Sequence, residues 1–106
     1  MTRIIVLVSL KPGKSAADYE QWALTTDLPT VNALQSVDSF TLFQATGVLG
    51  SEEKSPYDYI EIIDVADMDL FGQDVSTEAM KRIAAEFNDW STPTFILTRA
   101  VTGATA

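Results

Sequence analysis

The chain has 106 residues, a formal net charge of -8, and neither histidine nor cysteine. The length corresponds to a single domain, residues 1–106, and the two missing residue types exclude histidine- or thiolate-ligated zinc and haem, Ser-His-Asp catalysis and redox dithiols. Excess negative charge disfavours nucleic acid and anionic membrane surfaces as partners, and no apolar run reaches the ~20 residues of a membrane span. We therefore expect a cytoplasmic protein without a metal or another cofactor.

The predicted elements follow the order β-α-β-β-α-β. Runs of β-branched and aromatic residues bounded by turn residues predict strands at residues 3–10, 39–45, 57–65 and 94–101. Right-handed crossovers then place the third strand beside the first, with antiparallel neighbours and both helices on one face. The sequence therefore predicts an α+β, ferredoxin-like sandwich with a four-stranded antiparallel sheet. Residues 102–106 form a tail of small residues that we expect to fray.

The helices are predicted from their caps and apolar stripes. Ser15 should cap the first helix, whose buried stripe begins at Tyr19. Residues 27–29 should interrupt this helix, because proline is tolerated in the first turn of a helix but not in its interior. After a single helical turn at residues 70–71, Ser76 should cap the second main helix.

Both faces of the predicted sheet are apolar. The first strand has Val6 and Val8 on one face and Ile5 and Leu7 on the other. An antiparallel sheet with helices on one face usually exposes polar residues on its other face. A second copy stacked sheet on sheet would cover the free face, so we expect a homodimer. The alternative is a monomer with an ordinary scatter of exposed apolar side chains.

Several segments together resemble the dimeric α+β barrel superfamily, whose protomers are ferredoxin-like and whose two sheets close into a barrel. These segments are residues 6–13 (VLVSLKPG), 18–22 (DYEQW), 27–29 (DLP), 34–40, 57–62 (YDYIEI) and 86–87 (EF). The superfamily includes monooxygenases of antibiotic biosynthesis, haem enzymes with an axial histidine that this chain lacks, and members with no assigned reaction. Within it, the chain resembles the REDY-like proteins, which are associated with prodiginine-type pigment pathways. The resemblance implies a homodimer that binds a small, apolar metabolite of secondary metabolism.

Two carboxylates and a phenol are the candidate catalytic residues. Asp27 lies at the predicted helix break, where it faces solvent, faces the mouth of a cavity beside Trp22, or caps the turn that follows. Glu61 lies in mid-strand among apolar neighbours, with Tyr59 on the same face of the strand. The alternatives for Glu61 are an ion pair with Arg3 on the neighbouring strand and an exposed position on the barrel.

Four large aromatic side chains could wall a pocket between sheet and helices and are the candidate ligand-binding residues. They are Trp22, Phe43, Phe87 and Trp90. The alternative is that they belong to the hydrophobic core. Three functions stay open: a metal-free enzyme or accessory protein that uses carboxylate and tyrosine acid-base groups, a cofactor-independent monooxygenase, and a non-enzymatic carrier or stress-related dimer.

Overall fold

Four strands form one antiparallel sheet: β1 (Thr2–Leu10), β2 (Val37–Gln44), β3 (Tyr59–Val65) and β4 (Ser91–Leu97). Their order across the sheet is β2-β3-β1-β4. The computed structural model describes residues 1–101, so the predicted fraying of residues 102–106 lies outside the described residues. The helices are α1 (Ala16–Trp22), α2 (Leu28–Asn32), α3 (Met68–Asp74) and α4 (Glu78–Trp90), and a π-helical turn (Ala23–Asp27) joins α1 to α2. The predicted α+β, ferredoxin-like fold is confirmed.

The inner face of the sheet carries the hydrophobic core. Alternate residues of β1 point inward, and Val6 and Val8 are fully buried there. The helices pack on this face. Helix α4 contributes a stripe of buried residues that includes Ile83 and Phe87. Ser15 caps α1 as predicted, since its hydroxyl accepts a hydrogen bond from the Asp18 backbone N–H at 3.2 Å. Among the described residues, no helix is both long and apolar enough to cross a membrane.

The helix predicted to break at residues 27–29 continues instead. In the π-helical turn Ala23–Asp27, the Leu28 N–H donates to the Ala23 carbonyl, five residues earlier, and α2 follows directly. Pro29 lies in the first turn of α2. The extra residue in the π turn shifts the hydrogen-bonding pattern, so that the N–H that proline lacks is not required.

Other boundaries also differ from the predicted ones: β2 begins at Val37 instead of residue 39, and β3 begins at Tyr59 instead of residue 57. Thr77, not Ser76, caps α4 by accepting from the Met80 N–H, while the Ser76 hydroxyl donates to a carbonyl of the preceding helix. Helix α3 has seven residues instead of a single turn. Strand β4 begins at Ser91, directly after α4, and ends at Leu97, so the prediction of a strand at residues 94–101 was shifted toward the C-terminus.

The opposite face of the sheet is apolar and partly exposed. We call it the outer face and define it by Ile5, Leu7, Phe43, Ile60, Ile62 and Ile96. The strand register places these side chains in two adjacent rows across the sheet, because Leu7 and Phe43 both pair with Ile60, and Ile5 pairs with both Ile62 and Ile96. Phe43 is 52% exposed and Ile96 is 40% exposed.

Candidate functional site

A cavity of about 360 Å³ lies between the inner face of the sheet and the helices. All four strands contribute to its lining, as do Asp27 and residues of helices α2, α3 and α4. The lining is apolar except for Asp27 and Glu61, and includes Ile4, Phe40, Ile83, Phe87, Phe95 and Leu97. Small-molecule sites are typically concave, mostly apolar and roughly 300 to 1,000 Å³ in volume, with a few polar groups that orient the ligand. The cavity matches this description.

Strand alternation places Glu61 at the centre of the inner face. It lies between Val6 of β1 and Leu42 of β2 in the strand register, and it is only 2% exposed. Helix α1 passes above it, and the Tyr19 hydroxyl donates a hydrogen bond to Glu61 Oε2 at 3.2 Å. A buried tyrosine hydroxyl requires a partner, so the carboxyl and the phenol satisfy one another.

The π-helical turn places Asp27 on the same cavity. Its backbone is helical, its side chain makes no capping hydrogen bond, and it is 5% exposed. The predicted alternative, in which Asp27 caps the following turn, is therefore wrong, because the helix does not end there. Within residues 1–101 no hydrogen bond stabilises its carboxylate. A largely buried residue whose carboxylate lacks a hydrogen bond and borders a cavity is a candidate for ligand contact.

Burial changes the proton affinity of both carboxyl groups. Desolvation raises the pKa of Asp27 to about 7. Desolvation also raises the pKa of Glu61 to about 8; the negative charge of Asp27 adds to this increase, and the hydrogen bond from Tyr19 opposes it. Burial and the negative charge of Glu61 raise the pKa of Tyr19, which keeps this phenol protonated. Near neutral pH, the cavity therefore holds a carboxyl that can donate a proton and a carboxylate that can accept one.

Arg3 does not pair with Glu61. Arg3 and Glu61 project from opposite faces of the sheet, because side chains alternate along each strand. Arg3 lies directly opposite Asp64 in the register, and the two form an ion pair at 2.7 Å that lowers the pKa of the Asp64 carboxyl. Both sequence-based alternatives for Glu61, the pair with Arg3 and an exposed position, are therefore wrong.

Tyr59 shares the inner face with Glu61 but does not line its cavity. The Tyr59 hydroxyl donates to the Glu20 carboxylate and borders a separate hollow of about 160 Å³. The phenol that contacts Glu61 is Tyr19, which was predicted only as part of the apolar stripe of the first helix. The hydroxyl of a tyrosine in such a stripe was the available signal, since it needs a buried partner.

The four candidate aromatic residues occupy different places. Phe87 lines the cavity, and Trp22 stacks behind it with ring centroids 6.2 Å apart. Trp90 packs against Tyr19 and Trp22 outside the cavity lining. Phe43 lies on the outer face, so the prediction that it walls a pocket between sheet and helices is wrong. Three further aromatic residues line the cavity without having been predicted there: Phe40, Phe71 and Phe95.

The sheet order, the helices on one face and the cavity between them define a ferredoxin-like α+β domain with two buried carboxyl groups facing an apolar space. A family model described as REDY-like protein HapK matches residues 2–101. The chain belongs to this family, and the resemblance to the REDY-like proteins is confirmed. No curated protein sequence matches the chain.

Three solved structures illustrate the shared fold. The crystal structure of HapK from Hahella chejuensis is 23% identical, with 100% of this chain and 98% of that chain covered and a TM-score of 0.78. SnoaB, a cofactor-independent oxygenase from Streptomyces nogalater, is 16% identical, with 95% and 93% covered and a TM-score of 0.73. A dimeric ferredoxin-like protein of unknown function from Thermobifida fusca is 16% identical, with 93% and 90% covered and a TM-score of 0.69.

Proposed function

We propose that the cavity binds a small, largely apolar metabolite and that Asp27 and Glu61 perform acid-base chemistry on it. The observation that carries this proposal is the pair of buried carboxyl groups, with raised pKa values of about 7 and about 8, that face one apolar cavity. Carboxyl groups with a pKa near the working pH make efficient general acids and bases. Burying two of them disfavours the folded state because each loses its hydration, and such a cost is typical of carboxyl groups at functional sites.

The arrangement supports a proton transfer without a change of oxidation state. Asp27, which lacks a hydrogen-bond partner within residues 1–101, would accept a proton from one atom of the ligand, and protonated Glu61 would donate one to another atom. Tyr19 would hold Glu61 in place through its hydrogen bond to Oε2. The apolar lining would exclude water, which strengthens both electrostatic contacts.

Binding and turnover can be measured on a panel of planar, apolar metabolites. Trp22 stacks on the cavity residue Phe87, so we expect ligand binding to change tryptophan fluorescence. Asp27→Asn and Glu61→Gln keep the side-chain shapes but remove the acid-base groups, so turnover should fall by at least about 100-fold. Glu52→Gln, at an exposed loop position, is the matched control and should behave as the wild type. Unchanged turnover in both cavity variants would contradict the proposal, and binding without any turnover would favour a carrier.

A cofactor-independent oxygenase is the second candidate function. It is favoured by the structural similarity to SnoaB together with a cavity whose lining is almost entirely apolar. In such a reaction Asp27 would deprotonate an electron-rich ligand, and the resulting anion would reduce molecular oxygen. Oxygen consumption that follows turnover separates this function from proton transfer alone, which should proceed equally well under anaerobic conditions.

We also propose that two copies of the chain pair through the outer face. Six apolar side chains lie together there, and the most exposed of them, Phe43, has half of its surface open. Contiguous exposed apolar surface of this kind commonly marks an interface. The dimeric ferredoxin-like protein from Thermobifida fusca has a similar fold. Light scattering at micromolar concentration should give twice the 11.6 kDa mass of the chain, and a mass of one chain would contradict the pairing.

A further inference from the structure

The polar groups that line the cavity are both acidic. Asp27 and Glu61 are the only charged or hydrogen-bonding side chains among the described residues of its lining, and no lysine or arginine is present there. Tyr19 approaches Glu61 from α1 and is neutral, so it donates a hydrogen bond without supplying a positive charge. The cavity therefore offers negative charge and hydrogen-bond acceptors to a ligand, and no cationic group.

Of the two acidic residues, Asp27 is the one whose carboxylate is available to a cationic ligand. The residue as a whole is 5% exposed, and its carboxylate has no hydrogen-bond partner in the described part of the chain and borders the cavity. A ligand that supplies a positively charged N–H group would satisfy it with a charge-assisted hydrogen bond, which is stronger than a neutral one. The lost solvation of the carboxylate would then be compensated in the complex.

We propose, building on the proposed function, that the cavity selects apolar ligands carrying a single positive charge, and discriminates against the corresponding carboxylates. The complex contains the cation, one ionised carboxylate and one protonated carboxyl, so its net charge is zero. A neutral ligand leaves the buried carboxylate without a counter-charge. An anionic ligand either repels that carboxylate or must bring a further proton into an apolar space.

A matched set of three compounds isolates the effect of charge from that of shape. The compounds are 1-naphthylmethylamine, 1-naphthalenemethanol and 1-naphthoic acid, which share one ring system and are cationic, neutral and anionic at pH 7.5. Calorimetric titration into the full-length wild-type chain should show the amine binding at least about tenfold more tightly than the alcohol. The acid should bind at least about tenfold more weakly than the alcohol. Equal affinities for amine and alcohol, or tighter binding of the acid, would overturn the inference.

Variants distinguish the cavity acids from the overall negative charge of the chain. Asp27→Asn and Glu61→Gln should each reduce the preference for the amine, and the double variant should bind amine and alcohol equally. The control is the pair Glu52→Gln and Glu53→Gln, which removes two exposed charges from the loop between β2 and β3. This control should keep the wild-type preference. If it loses as much preference as the cavity variants do, the selectivity comes from net charge and the inference is wrong.

Failure of the inference can be distinguished from failure of the proposed function. Binding of the alcohol with no preference for the amine would leave the metabolite cavity in place and remove only its charge selectivity. If none of the three compounds binds, the proposed cavity function fails and the inference fails with it. The wild-type series alone gives these results, so they do not depend on how well the variants fold.

Discussion

Glu61→Gln should change how the stability of the protein depends on pH. The pKa of Glu61 rises from 4.5 in the unfolded chain to about 8 in the folded protein. The folded state therefore binds this proton more tightly than the unfolded state does. Stability is unaffected by this group below pH 4.5, falls as the pH increases from 4.5 to 8, and has lost the whole contribution above pH 8. This direction is opposite to that of a surface carboxylate in an ion pair.

The size of the effect follows from the raised pKa. Each pH unit between the two pKa values lowers the free energy of unfolding by about 1.4 kcal/mol, so Glu61 alone removes on the order of 3 to 5 kcal/mol. Whole domains of this size are stable by only about 5 to 15 kcal/mol. Asp27 acts in the same direction between pH 3.8 and about 7. The interval from pH 7 to pH 8 therefore reports mainly on Glu61.

Urea unfolding followed by tryptophan fluorescence at unit steps from pH 5 to pH 9 tests this reasoning. The wild type should lose about 1 kcal/mol or more between pH 7 and pH 8, whereas Glu61→Gln should change little over that interval. At pH 9 the variant should be the more stable protein. Glu52→Gln is the control and should follow the wild-type profile. Parallel profiles for the wild type and Glu61→Gln would refute a buried, protonated Glu61.

Three further substitutions have defined outcomes. Tyr19→Phe removes the hydrogen bond to Glu61, so the free energy of unfolding in urea should fall by about 1 kcal/mol. Because that bond opposes the rise in the Glu61 pKa, the loss of stability with increasing pH should also occur at higher pH than in the wild type. Phe43→Asp places a charge on the outer face and should give a folded monomer by light scattering, whereas Leu49→Asp, in the exposed β2–β3 loop, should remain dimeric; two dimers would contradict pairing through this face. Thr77→Ala removes the cap of α4 and should lower the free energy of unfolding, measured by thermal melting, by about 1 kcal/mol. An unchanged melting curve would show that this cap does not stabilise the protein.

The strand pattern made the fold predictable. Alternation along β1 and β3 defines two faces of a sheet, and the same alternation marks Glu61 as a charge among apolar neighbours from its position in the chain alone. The cap of α1 could be predicted because it depends on Ser15 and its immediate neighbours. Such features are local, so the residues that determine them lie within a few positions in the sequence.

The contacts within the site could not be derived in the same way. The hydrogen bond between Tyr19 and Glu61 joins residues 42 positions apart, and its existence depends on how α1 crosses the sheet. Phe95 was assigned to the correct strand, but its place on the cavity depends on the register of β4 against β1, which sets it opposite Val6. Asp27 was selected for its position at a supposed helix break, although it lies in a continuous helix whose π turn leaves no mark in the apolar periodicity.

Because of that π turn, the position of Asp27 depends on the number of residues between α1 and α2. A π-helical turn contains one residue more than a regular α-helical turn, and successive residues of an α-helix are rotated by about 100°. Deleting one residue from positions 23–26 would restore a regular helix and rotate Asp27, together with α2, relative to α1 and its Tyr19. A relative could therefore keep this aspartate in a sequence alignment and still lack the acid in its cavity. A single alignment gap in this helix is then more informative about the chemistry of a family member than the identity of the aligned residue.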